Sequence, residues 1–191
     1  MKNQKAKGTE SQKNEVIKRV IMRRTILFAF SVFLASSMVY GQRASWRQAS
    51  DAELASLLPA RAPVIKEHIE TEMRTASGIA DARGHYIAGV VLITAGYSAE
   101  GKYSHYLVVQ WPLKAGGVEL KPGDYVFGYT HEGDVLRVHF NEAATGALVG
   151  TTDAHLMPSI RGVTEVHIWP PNTKSVIQIG RFAIPYELGD Q

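Results

Sequence analysis

The chain contains no cysteine in its 191 residues. This absence excludes disulfide bonds, and it also excludes the lipid-modified cysteine of a bacterial lipoprotein. A folded domain in this chain must therefore be held together by its apolar core alone. About 150 residues suffice for that, because a domain of this size buries roughly two-thirds of the surface that its unfolded chain exposes.

Positive charge is scarce outside the first 41 residues. Residues 1–41 hold eight of the 21 Lys and Arg residues and two of the 18 Asp and Glu residues. The remaining 150 residues hold 13 basic and 16 acidic residues, a net charge of −3. The basic pI thus belongs to the leader, and we expect no nucleic-acid partner, because phosphate binding requires positive charge on the folded surface.

No apolar run is long enough to span a bilayer comfortably. The longest run, Thr25 to Ser37, follows Arg23 and Arg24 and precedes Val39-Tyr40-Gly41, which is the three-part pattern of a secretory signal. We predict cleavage after Gly41 and export to the periplasm or the medium of a bacterium. If the segment were left uncleaved, it would be the only contact with a membrane. Met22 is an alternative start of translation.

The rest of the sequence predicts a mainly β fold. Residues 42–84 form a helical lead-in with two short helices: one is capped by Ser50 and Glu53, and the other runs from Pro63 to about Ala76. From His85 onward the apolar residues recur at every second position, which is typical of strands. Residues 85–191 then form seven or eight antiparallel strands, arranged as a β-sandwich or a partly closed barrel.

One hairpin is specified in detail. The segments 125–130 and 135–141 flank a turn, and a Glu132-Gly133 loop would place Phe127 opposite Val138. In this register Tyr125 and Tyr129 lie on the same apolar face as Phe127.

The segment Leu120-Lys121-Pro122-Gly123-Asp124-Tyr125 resembles a corner of secreted β-sandwich domains, including the carboxypeptidase-regulatory-like, transthyretin-like family. The resemblance implies that Leu120, Gly123 and Tyr125 build a structural corner, with the Tyr125 hydroxyl tied back to the backbone. More loosely, residues 80–188 resemble a self-contained family of exported bacterial domains to which no activity is assigned.

Histidine is the most suggestive chemical feature, because all seven His residues lie after the leader and an exported protein without cysteine would bind metals through His, Asp or Glu. No two of them have the spacing of a two-ligand unit. His131 and Asp134, which flank the predicted hairpin tip, are the candidate metal ligands. We expect no cofactor.

Aromatic side chains supply the candidate contact surface. Tyr97, Tyr103, His105 and Tyr106 surround a predicted turn between two strands, where they could contact a sugar or a partner protein. The wider aromatic set, which includes Phe127 and Phe140, either fills the core or lines a ligand cavity.

No stretch carries a catalytic motif, so the sequence favours a non-enzyme. The leading hypothesis is an exported, non-catalytic binding or interaction module of the bacterial cell envelope. Its partner would be an envelope protein, a glycan or a small apolar ligand. Two alternatives stay open: a β-barrel carrier of a small apolar ligand, and a metal-assisted hydrolase that uses His131 or its neighbours.

Overall fold

A single antiparallel sheet of thirteen strands dominates the part of the chain that the computed structural model describes, residues 45–158 and 163–190. One helix, α1, accompanies the sheet. The elements in chain order are β1 (Arg47–Gln48), α1 (Asp51–Leu57), β2 (Arg61–Val64), β3 (Glu67–Ala80), β4 (Tyr86–Leu92), β5 (His105–Val109), β6 (Leu113–Ala115), β7 (Val118–Leu120), β8 (Gly123–Glu132), β9 (Val135–Glu142), β10 (Leu148–Leu156), β11 (Thr164–Ile168), β12 (Val176–Gly180) and β13 (Phe182–Leu188).

The sheet curls into a nearly closed barrel. Its strand order is β1-β3-β4-β5-β8-β9-β10-β13-β12-β11, and β11 returns to lie against β3 and β4. At this seam the backbone N–H of Ile168 donates to the Ser77 hydroxyl at 3.0 Å. A side-chain hydrogen bond thus links the two ends of the sheet.

The β6–β7 hairpin fills a gap in the barrel wall. β10 pairs with β13 only at His155 and Leu156, and β6 takes over the same edge of β13 further along, from Tyr186 to Leu188. The Thr152 hydroxyl of β10 donates to the Gly116 carbonyl at the hairpin tip, at 2.9 Å. The two short strands therefore continue the wall where β10 and β13 part.

The two largest of the three apolar clusters among the described residues lie on opposite faces of the sheet. The barrel interior is packed with large side chains from facing strands, among them Phe127, Phe140 and Ile168. The outer layer lies between the convex face of β3, β4, β5 and β8 and the elements that cover it, which are α1, the β2 hairpin and the segment 93–104. Leu54 of α1 and Ile69 of β3 are buried in this outer layer, beside several alanines.

The mainly β, antiparallel fold and the partly closed barrel agree with the sequence prediction, as does the capping box of α1. Ser50 and Glu53 exchange the two predicted backbone hydrogen bonds. The number of elements is corrected, because the described residues form thirteen strands and one helix, not seven or eight strands and two helices.

The predicted second helix, Pro63 to about Ala76, is wrong. These residues form the end of β2 and most of β3, so the described part of the lead-in, residues 45–84, holds one helix and three strands. Ile65, Ile69 and Met73, with Val64 beside them, have helical spacing. Ala62 and Val64 also alternate with exposed Arg61 and Pro63, however, which is the period of a strand. Pairing of β3 with β4 satisfies the backbone here, and local helix propensity does not prevail against it.

The strand count differs for two further reasons. β6 has only three residues and carries too short an alternation to predict, and the apolar run 175–184, which has the pattern of one long strand, forms β12 and the start of β13, joined at Gly180-Arg181. Gly180 has a φ of 60°, which a tight hairpin turn accepts and a continuous strand does not.

The β8–β9 hairpin has the predicted faces but a different register. Its loop is Gly133-Asp134, not Glu132-Gly133, so Phe127 pairs with Phe140 and Tyr129 with Val138. Gly133 has a φ of 60° at the first loop position, where a type II′ turn requires a positive φ. The pairing shifts by two residues, and an even shift leaves every side chain on its predicted face.

The predicted signal segment, the cleavage site after Gly41 and the alternative start at Met22 lie outside the described residues. Within residues 45–158 and 163–190, no helix is long and apolar enough to cross a membrane.

Candidate functional site

Three of the four residues predicted to form an exposed contact surface are buried. Tyr103, His105 and Tyr106 are 3%, 3% and 1% exposed, so the predicted exposed tip is wrong for these side chains. Tyr97 is half-buried, and its hydroxyl accepts a hydrogen bond from Arg61 at 3.2 Å. The alternation along β5 explains the burial, because one of its faces lies in the barrel interior and the other in the outer layer.

His105 lies in the barrel interior as a neutral imidazole. Its ring stacks on Phe127, with 4.5 Å between the ring centroids and 2° between the ring planes. Nδ1 lies 2.8 Å from the Ser104 hydroxyl, and Nε2 has no hydrogen-bond partner of normal geometry among the described residues. Burial lowers the pKa of His105 to about 4, and the nearby carbonyl of Glu165 opposes the shift.

Tyr103 and Tyr106 lie in the outer layer. Burial, together with the neighbouring carboxylate of Asp124, raises the pKa of Tyr106. The Tyr103 hydroxyl is buried without a hydrogen-bond partner in the described structure. Such a group costs about 1–3 kcal/mol, and an uncompensated one warrants a functional explanation.

At the corner of Leu120, Gly123 and Tyr125, the Tyr125 side chain is tied back to the backbone. The Tyr125 hydroxyl donates to the Lys121 carbonyl at 2.8 Å, and the ring is 7% exposed. Leu120 is buried in the barrel interior, while Gly123 is exposed at the start of β8. The corner fixes the segment 121–124 where β7 leads into β8.

The candidate metal ligands His131 and Asp134 are both exposed at the β8–β9 turn. The ring of His131 packs edge-on against Phe182, with centroids 5.6 Å apart. Over residues 45–158 and 163–190, no three His, Asp or Glu side chains converge as a metal site would require. The structure adds no third ligand to this pair.

An open groove of about 720 Å³ adjoins the corner; we call it the corner groove. The β2 turn, the corner segment, the end of β9 and the start of β10 contribute its walls. Its lining residues are Pro63, Ile65, Glu119, Lys121, Pro122, Gly123, Asp124, Tyr125, Glu142, Ala143, Ala144 and Val149.

Ile65 holds a strained conformation in this groove. Four two-residue hairpin loops in the described chain carry a positive φ at their first position: Ile65-Lys66, Gly116-Gly117, Gly133-Asp134 and Gly180-Arg181. Three of them use glycine at that position, whereas Ile65 is β-branched and has a φ of 56°. Such a residue costs of order 1–3 kcal/mol, and strain of this kind concentrates at functional sites.

Ile65 is held in place from two sides. Its backbone N–H donates to the Ala143 carbonyl at 2.7 Å. On the other side, the Ile65 side chain and the unpaired Tyr103 hydroxyl both lie against Gly146. A Cβ atom added to Gly146 would be 2.8 Å from Ile65 Cδ1 and 3.1 Å from the Tyr103 oxygen. Ile65 is nonetheless 48% exposed, and Val149 across the groove is 38% exposed. The corner groove thus combines backbone strain with exposed aliphatic surface, and the buried, unsatisfied Tyr103 hydroxyl lies close to the Ile65 side chain outside the groove lining.

The corner groove is acidic. Glu119, Asp124 and Glu142 supply three carboxylates against the single ammonium of Lys121. None of the three carboxylates forms an ion pair with another described residue. Glu142 accepts a hydrogen bond from the Thr145 hydroxyl at 2.8 Å, which fixes its position without neutralising its charge.

Sequence reasoning found one wall of this site and missed the other. It identified the corner through Leu120 and Tyr125, but it placed Ile65 in a helix and did not connect Glu119, Glu142 or Val149 with the corner. The missed signal is the alternation of Ala62 and Val64 on either side of Pro63, which indicates an edge strand followed by a turn at Ile65.

The described residues thus form an antiparallel, nearly closed barrel domain with the corner groove on its outside, beside the corner at Tyr125. No protein-family model matches the chain, and no curated protein or solved structure shows a significant similarity to it.

Proposed function

We propose that this chain is an exported, non-catalytic binding module of the bacterial cell envelope and that the corner groove is its contact surface. The observation that carries the proposal is Ile65, a half-exposed aliphatic residue in a strained turn next to the buried, unpaired hydroxyl of Tyr103. Strain and unsatisfied polar groups persist where function selects for them. Export rests on the leader sequence.

The packing of the barrel supports an external site over an internal one. A carrier of a small apolar ligand requires space inside the barrel. Here Phe127 and Phe140 are cross-strand neighbours on β8 and β9 with ring centroids 5.4 Å apart, and both side chains are fully buried in the interior cluster, which also includes Ile168 of β11. Their mutual packing favours the core role of the aromatic set over a cavity-lining role.

The arrangement of titratable side chains gives no support to the metal-assisted hydrolase. His131 and Asp134 are exposed and have no third candidate ligand in the described part of the chain. His105 is buried and stacked, out of reach of a substrate. A binding role requires none of these groups.

Selection of ligands from a random peptide display library tests the proposal. The purified full-length protein is the bait, and the affinities of the selected peptides are then measured for Val149→Glu and for Leu156→Glu. Leu156 is a matched control, because it is exposed on the same strand, seven residues or roughly 23 Å from Val149.

We expect enriched peptides whose affinity falls by about tenfold or more in V149E, because a charge replaces an apolar contact, and does not change in L156E. Enrichment of no peptide, or equal binding to V149E and wild type, contradicts the proposal.

A further inference from the structure

We infer that the corner groove recognises an extended peptide segment in which a basic side chain lies next to an aliphatic one. This inference rests on the proposed function and specifies its ligand. It follows from two features that lie side by side in one groove: an excess of unpaired carboxylates and an exposed aliphatic wall.

The carboxylates define the basic half of the ligand. Glu119, Asp124 and Glu142 outnumber Lys121 by three to one, and no ion pair among the described residues neutralises them. A cleft lined by one sign of charge attracts ligands of the opposite sign. Because these carboxylates do not converge closely enough to hold a metal ion, as no three His, Asp or Glu side chains do in the described structure, the complementary cation is an ammonium or a guanidinium.

The aliphatic half of the ligand follows from the opposite wall. Ile65 and Val149 are 48% and 38% exposed, and Pro63 and Ala144 extend the same apolar surface. A side chain of the size of Leu or Ile that packs here removes this area from water, and this burial favours binding. Apolar surface in a concave site is the usual source of affinity, and the charged groups provide selectivity.

A peptide fits this lining better than a sugar does. Tyr125 is the only aromatic residue among those that line the corner groove, and its ring is 7% exposed, so it presents little face for stacking. The neighbouring β2 edge carries Pro63, which has no N–H to offer to an added strand. Recognition therefore depends on side chains and not on β-strand addition.

Three capped hexapeptides test the ligand class by calorimetric titration into the full-length protein. Their cores are Lys-Leu-Lys, the same core with both lysines acetylated, and Glu-Leu-Glu. A neutral oligosaccharide serves as the fourth titrant. The protein variants are the double substitution Glu119→Gln with Glu142→Gln, and the control Glu165→Gln, which removes an exposed carboxylate on β11.

We expect the Lys-Leu-Lys peptide to bind about tenfold more tightly than either of the other peptides, and the oligosaccharide not to bind. The double variant should lose about fivefold in affinity and E165Q none, and raising the salt from about 50 to about 500 mM should weaken binding.

The outcomes separate the inference from the proposed function. If the acetylated or the acidic peptide binds as tightly as Lys-Leu-Lys, or if only the oligosaccharide binds, the basic-peptide ligand is wrong although the groove still binds a ligand. If Lys-Leu-Lys fails while display-selected peptides bind and remain sensitive to V149E, the ligand class alone is wrong. If neither binds, the proposed function is wrong as well.

Discussion

The barrel interior and the outer layer are both apolar, but they are built differently. The interior joins large side chains from facing strands, such as Phe127, Phe140 and Ile177, and most of them are completely buried. The outer layer is rich in alanine, is covered by one seven-residue helix and a short hairpin, and includes the unpaired Tyr103 hydroxyl. We therefore expect the interior to supply most of the free energy of unfolding. The outer layer, which borders the groove, is packed less tightly, and a region of lower local stability suits a site that must adapt to a ligand.

The largest expected effect is the loss of a core ring. Phe140→Ala removes a fully buried side chain that packs on Phe127, and it should lower the free energy of unfolding by about 3–5 kcal/mol. Denaturant unfolding measures this change. A loss below about 1 kcal/mol would mean that the interior is looser than its packing indicates, and would remove the contrast with the outer layer.

The second effect depends on pH and reports on His105. Its pKa is lowered to about 4 in the folded protein by burial, against about 6.5 for an exposed histidine. Between these values the unfolded chain binds a proton that the folded chain does not. The contribution of neutral His105 to the free energy of unfolding is therefore complete above about pH 6.5. As the pH falls toward 4, the free energy of unfolding decreases by about 3 kcal/mol.

Unfolding curves between pH 7 and pH 4 measure this dependence, with His105→Phe as the control. Phenylalanine retains the stack on Phe127 but does not titrate. A wild-type pH dependence equal to that of H105F would show that His105 is not held neutral by burial.

A matched pair of hydroxyl deletions compares the two faces of the sheet directly. Tyr125→Phe removes the hydrogen bond to the Lys121 carbonyl and should cost about 1 kcal/mol. Tyr103→Phe removes a buried hydroxyl that has no partner, and it should leave stability unchanged or raise it by up to about 1 kcal/mol. Thermal unfolding measures which of the two variants is the more stable. If Tyr103→Phe is less stable than Tyr125→Phe, the assignment of the Tyr103 hydroxyl as unsatisfied is contradicted.

The smallest effect on stability is expected at Ile65. Ile65→Gly relieves a positive φ while it removes a half-exposed side chain, so the free energy of unfolding should change by less than about 1 kcal/mol. Ile93→Gly is the matched control: Ile93 is 43% exposed and has no positive φ, so the same substitution should cost more. Equal losses in both variants would show that Ile65 is not strained.

The sequence predicts the interior more completely than the outer layer, for a physical reason. Along β8 and β9 the alternation of apolar and polar residues specifies which side chains face inward. The observed register differs from the predicted one by two residues, and an even shift preserves the faces. Local pattern also predicts the capping box at Ser50, and the corner at Tyr125 follows from a recognisable six-residue segment.

The outer layer depends on contacts that are distant in sequence. Ile65 lies in the turn of the β2–β3 hairpin, and two distant contacts hold that hairpin: β3 pairs with β4, and the Ile65 N–H meets the Ala143 carbonyl. Periodicity within 61–76 permits a helix as well as a hairpin, so only the tertiary pairing decides between them. The groove was missed for the same reason, since its walls come from four separate segments.

The central claim is that ligands bind at the corner groove and not inside the barrel. Amide chemical-shift mapping by NMR, with a display-selected peptide titrated into the labelled protein, tests it most directly. The account predicts shifts concentrated at Ile65, at 121–125 and at 142–149, with the amides around His105 and Leu156 unchanged. Shifts centred on His105, Tyr129 and Leu156, with none at Ile65, would place the site at the other end of the barrel and contradict the account.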